Sequence, residues 1–439
     1  MALNPLKILL ISPKGWLLQE SSNFTDYLRS SREMKTVLHF WNATGAGLQT
    51  IAGLTPGEHS ITIIDENLEE IDFDQQADIV ALTTMTQQAN RAYEIAAEFK
   101  KRGRYVVLGG IHSTVMPEEA AEHVDTVFSG EAENTWPEFI RDFSRGQPQK
   151  LYSQSDYPPV ELNRIPLPRY DLVARYKYPV IWVQTTRGCP HDCEFCAASR
   201  IYGRKYRHKE VEQVIREIRE VKKYWKFAHI AFADDNMFVN RKFSTQLVSE
   251  FKKLNFTWYA QSDISVAEDQ PFLKSLYESG CRILFIGLES VSRNSLKGLN
   301  KNHWKERMFS RYPEYIQRIQ ENGIGVYGSF ILGLDQDDEQ TVERTISFIN
   351  ENRLLGAQIT LLTPFPGSRL RERFEREKRI INSDWQWYTG WNAVINHKNF
   401  TPDELDRALT RIYKSIYNEQ IYRKRASYFR KICEKLVNQ

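Results

Sequence analysis

Cys189, Cys193 and Cys196 lie within the run Arg187-Gly188-Cys189-Pro190-His191-Asp192-Cys193-Glu194-Phe195-Cys196, in a chain with 5 cysteines in all. Thiolates at this spacing are soft ligands suited to iron or zinc. On a [4Fe–4S] cube they fill three irons and leave the fourth open, whereas an electron-carrying cluster normally takes four cysteines. An open iron can bind a small molecule. The competing reading is a zinc site completed by His191 or another side chain. Structural zinc usually uses two paired half-sites, and the sequence holds no second pair. Cys281 and Cys433 are isolated and read as packed or surface thiols.

A fold must hold that loop. The chain has 439 residues, 41% of them hydrophobic and 26% charged, which is enough apolar content for buried cores and enough length for two or three domains. A formal charge of +3 is near balance and gives no reason to expect a nucleic-acid partner. Sparse, clustered cysteines point to a metal or cluster site in a reducing, cytoplasmic setting rather than a disulfide scaffold. No apolar run approaches the ~18 residues of a membrane-spanning helix. Residues 1–7 lack the basic start and apolar stretch of a secretory signal.

The first 150 residues read as a doubly wound α/β domain. Short β-branched runs at 7–11, 60–65, 79–83, 105–108 and 126–129 alternate with helical stretches such as 88–102 and 136–145. A proline-rich segment, 151–179, reads as an extended linker on the surface of both domains. From 180 to 371 a second alternation places strands at 181–185, 229–233, 257–261, 283–287, 325–331 and 357–362. These make a partial (β/α)6 barrel with its chemistry at the strand carboxyl ends. Residues 372–439 read as helical, with Thr401-Pro402-Asp403-Glu404 as a helix start.

The cysteine spacing, with the aromatic Phe195 before the last cysteine, resembles the radical S-adenosylmethionine (SAM) enzymes. Further motifs fall at later strand ends: Ala233-Asp234-Asp235-Asn236, Gly287-Leu288-Glu289-Ser290, Gly328-Ser329-Phe330-Ile331-Leu332-Gly333-Leu334 and Thr363-Pro364-Phe365-Pro366-Gly367-Ser368. The resemblance implies that Cys189, Cys193 and Cys196 hold a [4Fe–4S] cluster. It also implies that Phe195, Asp234, Glu289, Ser290, Gly328 and Leu332 contact SAM. In that family one electron from the cluster cleaves SAM to methionine and a 5′-deoxyadenosyl radical.

The loops Leu82-Thr83-Thr84-Met85-Thr86, Gly109-Gly110-Ile111-His112-Ser113 and Gly130-Glu131-Ala132-Glu133 each follow an expected strand. They resemble the cobalamin-binding domain fused to many radical SAM enzymes, which implies cobalamin contacts from Thr84, Thr86, Gly109, Gly110, Ile111 and Glu131. No Asp-x-His-x-x-Gly occurs, so that motif supplies no histidine to cobalt. His112 is the remaining candidate and reads first as a loop residue. Residues 42–48 replace an expected proline-rich turn, and residues 14–40 form an insertion. A domain that kept the fold and lost the cofactor is the alternative.

Auxiliary-cluster chemistry, such as methylthiolation, needs cysteines that this chain lacks. The layout resembles the branch containing anaerobic tetrapyrrole cyclases and hopanoid-modifying methylases. Two reactions stay open: cobalamin-dependent methylation of an unactivated carbon on an apolar small molecule or lipid, and a radical ring-forming or oxidative reaction. A non-catalytic iron–sulfur or zinc module is the third reading. A flavodoxin- or ferredoxin-type electron donor is implied. The aromatic group Trp385, Trp387, Tyr388 and Trp391 reads as a packing element or a substrate wall. The basic residues from Arg411 to Lys435 read as a solvated helix face or as a surface for an anionic membrane or an acidic donor protein.

Overall fold

The structure is a computed structural model that describes residues 5–15, six positions between 24 and 34, 45–300 and 302–437. Most of the 14–40 insertion and the start of the 42–48 stretch lie outside the described residues.

The N-terminal sheet contains β1 (Lys7–Ser12), β2 (Ser60–Asp65), β3 (Ile79–Thr84), β4 (Tyr105–Gly110), β5 (Thr126–Ser129) and β6 (Leu151–Ser153). Its strands are parallel, in the order β2-β1-β3-β4-β5-β6. This order reverses between β1 and β3, and a doubly wound sheet of this kind binds its ligand beyond the carboxyl ends at that switch. Alternate residues explain the burial. Leu9, Ile11, Val80, Leu82, Val106 and Leu108 pack under Ala92, Ile95, Ala96 and Phe99 of the helix Ala89–Lys101. The other face, with Ile8, Leu10, Ala81 and Val107, joins a core that continues into the second domain.

The segment expected as a surface linker is built into that core. Its first residues form β6, too short to show a period. Further on, Tyr170, Tyr176 and Tyr178 are buried. The Tyr178 hydroxyl donates to Asp65 (2.9 Å), and the Trp225 indole donates to the Tyr176 carbonyl (2.8 Å).

The second sheet begins with β7 (Val180–Val183). A short antiparallel pair follows, β8 (Thr186–Arg187) and β9 (Arg207–His208). Then come β10 (His229–Phe232), β11 (Trp258–Ser262), β12 (Cys281–Glu289), β13 (Gly325–Leu332) and β14 (Gly356–Leu361). The order β14-β13-β12-β11-β10-β7, parallel throughout, is an open half-barrel. Period-2 alternation sorts its residues. On β13, Val326, Gly328, Phe330 and Leu332 are buried, while Tyr327, Ser329 and Ile331 stay partly exposed on the lumen side.

The helix Pro402–Ile416 starts as expected: the Glu404 amide donates to the Thr401 hydroxyl oxygen (3.3 Å), and the Glu404 carboxylate accepts from the Thr401 amide (2.7 Å). Arg425, expected on a solvated face of the following helix Glu419–Val437, is buried instead and has its pKa lowered by that burial. Among the described residues no helix is long and apolar enough to cross a membrane.

Candidate active site

The cysteine loop leaves the β7–β8 end over the carboxyl edge of the half-barrel and is tied down on three sides. The Glu194 amide donates to the Leu299 carbonyl (2.8 Å), and Cys193 and Asn300 form an antiparallel bridge. The Leu370 amide donates to the Glu194 carbonyl (2.9 Å), and Arg373 joins the Glu194 and Asp335 carboxylates (2.8 and 2.7 Å). His191 bonds Asp263 (3.1 Å) and lies against the Trp304 ring (4.6 Å), so the named fourth ligand for zinc is engaged by its surroundings. Among the described residues no three His, Cys, Asp or Glu side chains stand close enough to hold a single ion. Three thiols on one loop, each half-buried, fit a cluster with an open iron. Burial pushes the Cys189 thiol up to about 11 and the Cys193 thiol up to about 12. A cationic metal would reverse that preference.

The sequence-assigned SAM contacts divide by strand face. Asp234 is fully buried, and burial pushes its carboxyl up to about 6. It accepts from the Thr185 amide (2.8 Å), the Thr185 hydroxyl (2.7 Å) and the Thr186 amide. Its oxygens therefore prop the turn that leads into the cysteine loop. The neighbouring Asp235 has no hydrogen-bond partner among the described residues, is pushed up to about 6 by burial, and its charge helps to raise the Cys189 and Cys196 thiols. Asp234 is thus engaged by the turn, and Asp235 is left unengaged. Gly328 and Leu332 likewise sit on the helix-facing side of β13. A side chain at 328 would meet Phe330 at 2.9 Å and Leu354 at 3.0 Å.

Glu289 ends β12 with φ of 66°, a left-handed conformation that is uncommon outside glycine. Its carboxylate pairs with the Lys305 ammonium at 2.8 Å, and Lys305 also donates to the Gly287 carbonyl. Both groups act electrostatically on Cys193. Ser290 is buried, and its hydroxyl oxygen accepts from the Ser292 amide (3.1 Å). A cavity of about 430 Å³ opens between the cysteine loop and the ends of β13 and β14. Phe195, Leu299, Leu334, Leu362 and Leu370 supply its apolar walls, and Glu194, Asp335 and Arg373 its polar rim. Of the expected SAM contacts, Phe195 lines this cavity.

At the carboxyl edge of the N-terminal sheet, Thr84 donates to the Met85 carbonyl (2.7 Å), and Thr86 is buried. The half-exposed member of that loop is Met85, at 49%. Ile111 and Ala132 are partly exposed on the next two loops. Three apolar tips on successive loops fit a flat macrocycle. Gly109 leaves room, because a Cβ there would only touch Phe128 at 3.6 Å. Gly110 does different work: with φ of 108°, a Cβ would strike the Thr84 backbone at 2.7 Å. His112 is turned into the interior of the domain. It is fully buried, with Nε2 near Tyr93 (3.2 Å) and Glu119 (3.4 Å) and its ring edge-on to Trp385 (5.2 Å). Glu131 faces the other domain: Arg187 reaches it at 2.5 Å and Arg207 at 2.9 Å.

Three of the four C-terminal aromatics are held by hydrogen bonds. The Trp385 indole donates to Glu119 (2.8 Å), Tyr388 donates to the Asn382 carbonyl (2.9 Å), and Trp391 donates to the Ile359 carbonyl (3.2 Å). Sequence reasoning missed Lys305, Asp263 and the role of Arg187. Only Arg187, within the cysteine run itself, carried a local signal.

Residues 183–349 match the radical SAM superfamily, and residues 44–140 match the B12 binding domain. The bacteriochlorophyllide d C-8(2)-methyltransferase of Chlorobaculum tepidum is 30% identical over 385 residues, 84% of this chain and 84% of its own. The bacteriochlorophyllide d C-12(1)-methyltransferase of the same organism is 28% identical, covering 94% of this chain and 90% of its own. The radical SAM methyltransferase TsrM from Kitasatospora setae, solved with cobalamin and a [4Fe–4S] cluster, shares the fold. Its TM-score is 0.65 at 14% identity, covering 92% of this chain and 81% of that one.

Proposed function

Because the chain belongs to the cobalamin-binding branch of the radical SAM superfamily, we propose that it methylates an unactivated carbon of an apolar small molecule or lipid. It is an enzyme of the methyltransferase kind, with a [4Fe–4S] cluster, SAM and cobalamin as cofactors. When bound, these groups supply the electron, the hydrogen-abstracting radical and the methyl group, and the protein positions them.

Cys189, Cys193 and Cys196 hold the cluster. The cavity beside Phe195, with apolar walls and a polar rim, takes a flat heterocycle of adenine size. Glu289, paired with Lys305, and the unpartnered Asp235 accept hydrogen bonds from the polar parts of SAM. Trp182, Tyr259, Phe285 and Tyr327 point into the half-barrel, where Trp182 meets Tyr259 edge-on (5.9 Å) and Phe285 stacks on Tyr327 (5.6 Å). An aromatic lumen favours a large apolar substrate and excludes water from the radical. Both relatives named above act on such a molecule, a bacteriochlorophyllide.

The observation that carries the reading is the seam between domains. The cysteine loop and the loop after β5 meet directly, through Arg187 and Glu131. A methyl donor held by the first domain would lie across that seam from SAM held by the second.

A flavodoxin- or ferredoxin-type donor supplies the electron. The basic C-terminal helix packs against the barrel floor, where a side chain at Gly323 would meet Leu436 at 2.7 Å. That floor is the amino end of β13, opposite the cysteine loop. A donor therefore approaches elsewhere, and the basic face is left for an anionic membrane surface near a lipid substrate.

The test is anaerobic turnover with methyl-labelled SAM and an apolar extract of the host cells. Label in an extracted product, dependent on added cobalamin, supports methylation. Oxidised or cyclised product without label returns the ring-forming alternative.

A further inference from the structure

Four charged side chains meet where the two domains touch. Arg187 Nη1 lies 2.5 Å from Glu131 and Nη2 lies 2.6 Å from Glu133. Arg207, the cross-strand partner of Arg187, holds the second Glu131 oxygen at 2.9 Å. The side chains are 8–14% exposed, so two guanidinium groups that would repel across a strand pair are balanced by two carboxylates in a dry place. Arg187 is held further by Gln184 (2.7 Å) and by the Tyr202 ring (5.9 Å).

The flanking backbone allows no slack. Only Gly188 separates Arg187 from Cys189. Its φ is 92°, and a Cβ there would stand 2.4 Å from the Lys205 carbonyl oxygen. Gly130 precedes Glu131 with φ of 90°, and a Cβ there would stand 2.7 Å from the Gln154 side chain. A displacement of the Arg187 guanidinium is therefore passed to the first cluster ligand on one side and to a cobalamin-facing loop on the other.

We infer that the Arg187–Glu131–Arg207–Glu133 group is the positioning element that sets the distance between the cluster and the cobalamin, and with it the coupling of SAM consumption to methyl transfer. This rests on both cofactors binding as proposed above. Arg187→Lys keeps the charge but cannot span two carboxylates. Glu133→Gln removes one arm and keeps the shape. Pulsed EPR on anaerobic holoprotein reads the distance between cobalt(II) and the reduced cluster.

The wild type gives one narrow distance. Both variants, with full iron and cobalt, give a broadened or displaced one. The 5′-deoxyadenosine formed per methyl transferred then rises, by about 10²-fold if the displacement reaches about 1 Å. An unchanged distance and ratio in both variants overturns the inference. So does loss of iron or cobalt from both, because the group would then be a folding element. A wild type that takes up iron but no cobalt contradicts the cobalamin reading and not the clamp. The clamp then predicts faster amide exchange over residues 129–134 in R187K, and unchanged exchange overturns it.

Discussion

The Lys305 ammonium stands 2.8 Å from the Glu289 carboxylate, with 7% and 9% of the two side chains exposed, at the carboxyl end of β12, where both groups act electrostatically on Cys193. A pair so buried is expensive to break on one side only, about 3–5 kcal/mol, and close to neutral to replace on both. Glu289→Ala should therefore lose stability in that range and also bind SAM more weakly, with normal iron content. The double variant E289A/K305M should recover most of the stability but not the affinity. Calorimetric SAM titration beside thermal unfolding separates the two effects. Affinity that recovers with stability would leave Glu289 a purely structural residue.

Asp234 and Asp235 are neighbours with opposite duties. Asp234→Ala strips acceptors from three buried donors at the root of the cysteine loop, each worth about 1–3 kcal/mol. Thermal stability and iron uptake should both fall. Asp235→Asn should leave both unchanged and weaken SAM binding. The reverse pattern would restore Asp234 to the cofactor.

Alanine at Cys189, Cys193 or Cys196 should abolish the cluster and the formation of 5′-deoxyadenosine after anaerobic reconstitution. Cys281→Ala and Cys433→Ala should keep both. Cys281 is buried within β12 and Cys433 is exposed, away from the loop. Iron loss in either would mean that the ligand set is miscounted.

His112 is held neutral. Burial depresses its pKa, opposed by Glu119. The unfolded chain takes up a proton at this histidine below about pH 6.5 and the folded domain does not. Stability should therefore fall as the pH drops from about 6.5 toward the depressed folded value. His112→Gln should remove that acid-side slope in thermal unfolding. It should also leave the visible spectrum of bound cobalamin unchanged, because the imidazole faces Tyr93, Glu119 and Trp385 rather than cobalt. A spectral change would make His112 a ligand.

Much of this was legible in the sequence. Buried parallel strands are short β-branched runs, and these placed the strands of both sheets, β6 apart, to within a residue or two at each end. The cysteine loop announced itself by ligand type and spacing. What the pattern left open was facing. Asp234 and Asp235 differ by one position at a strand end, and one position inverts which side a residue serves. Gly328 and Leu332 fell on the helix side of β13 for the same reason, leaving Ser329 and Ile331 toward the lumen. Lys305 was invisible because it reaches Glu289 from a separate helix, with no pattern linking them. Glu131 sits on the expected loop, yet its partner is an arginine brought from the other domain by tertiary packing alone.

The central claim is that one seam joins SAM cleavage to cobalamin-dependent methylation. The most direct measurement uses SAM labelled separately in its adenosyl and methyl parts, with iron-loaded protein, a chemical reductant and an apolar cell extract, with and without cobalamin. The expected result is 5′-deoxyadenosine together with methyl label in an extracted product, and loss of that product label when cobalamin is withheld. Methyl label reaching product equally well without cobalamin, or 5′-deoxyadenosine formed with no labelled product under any condition, would contradict it.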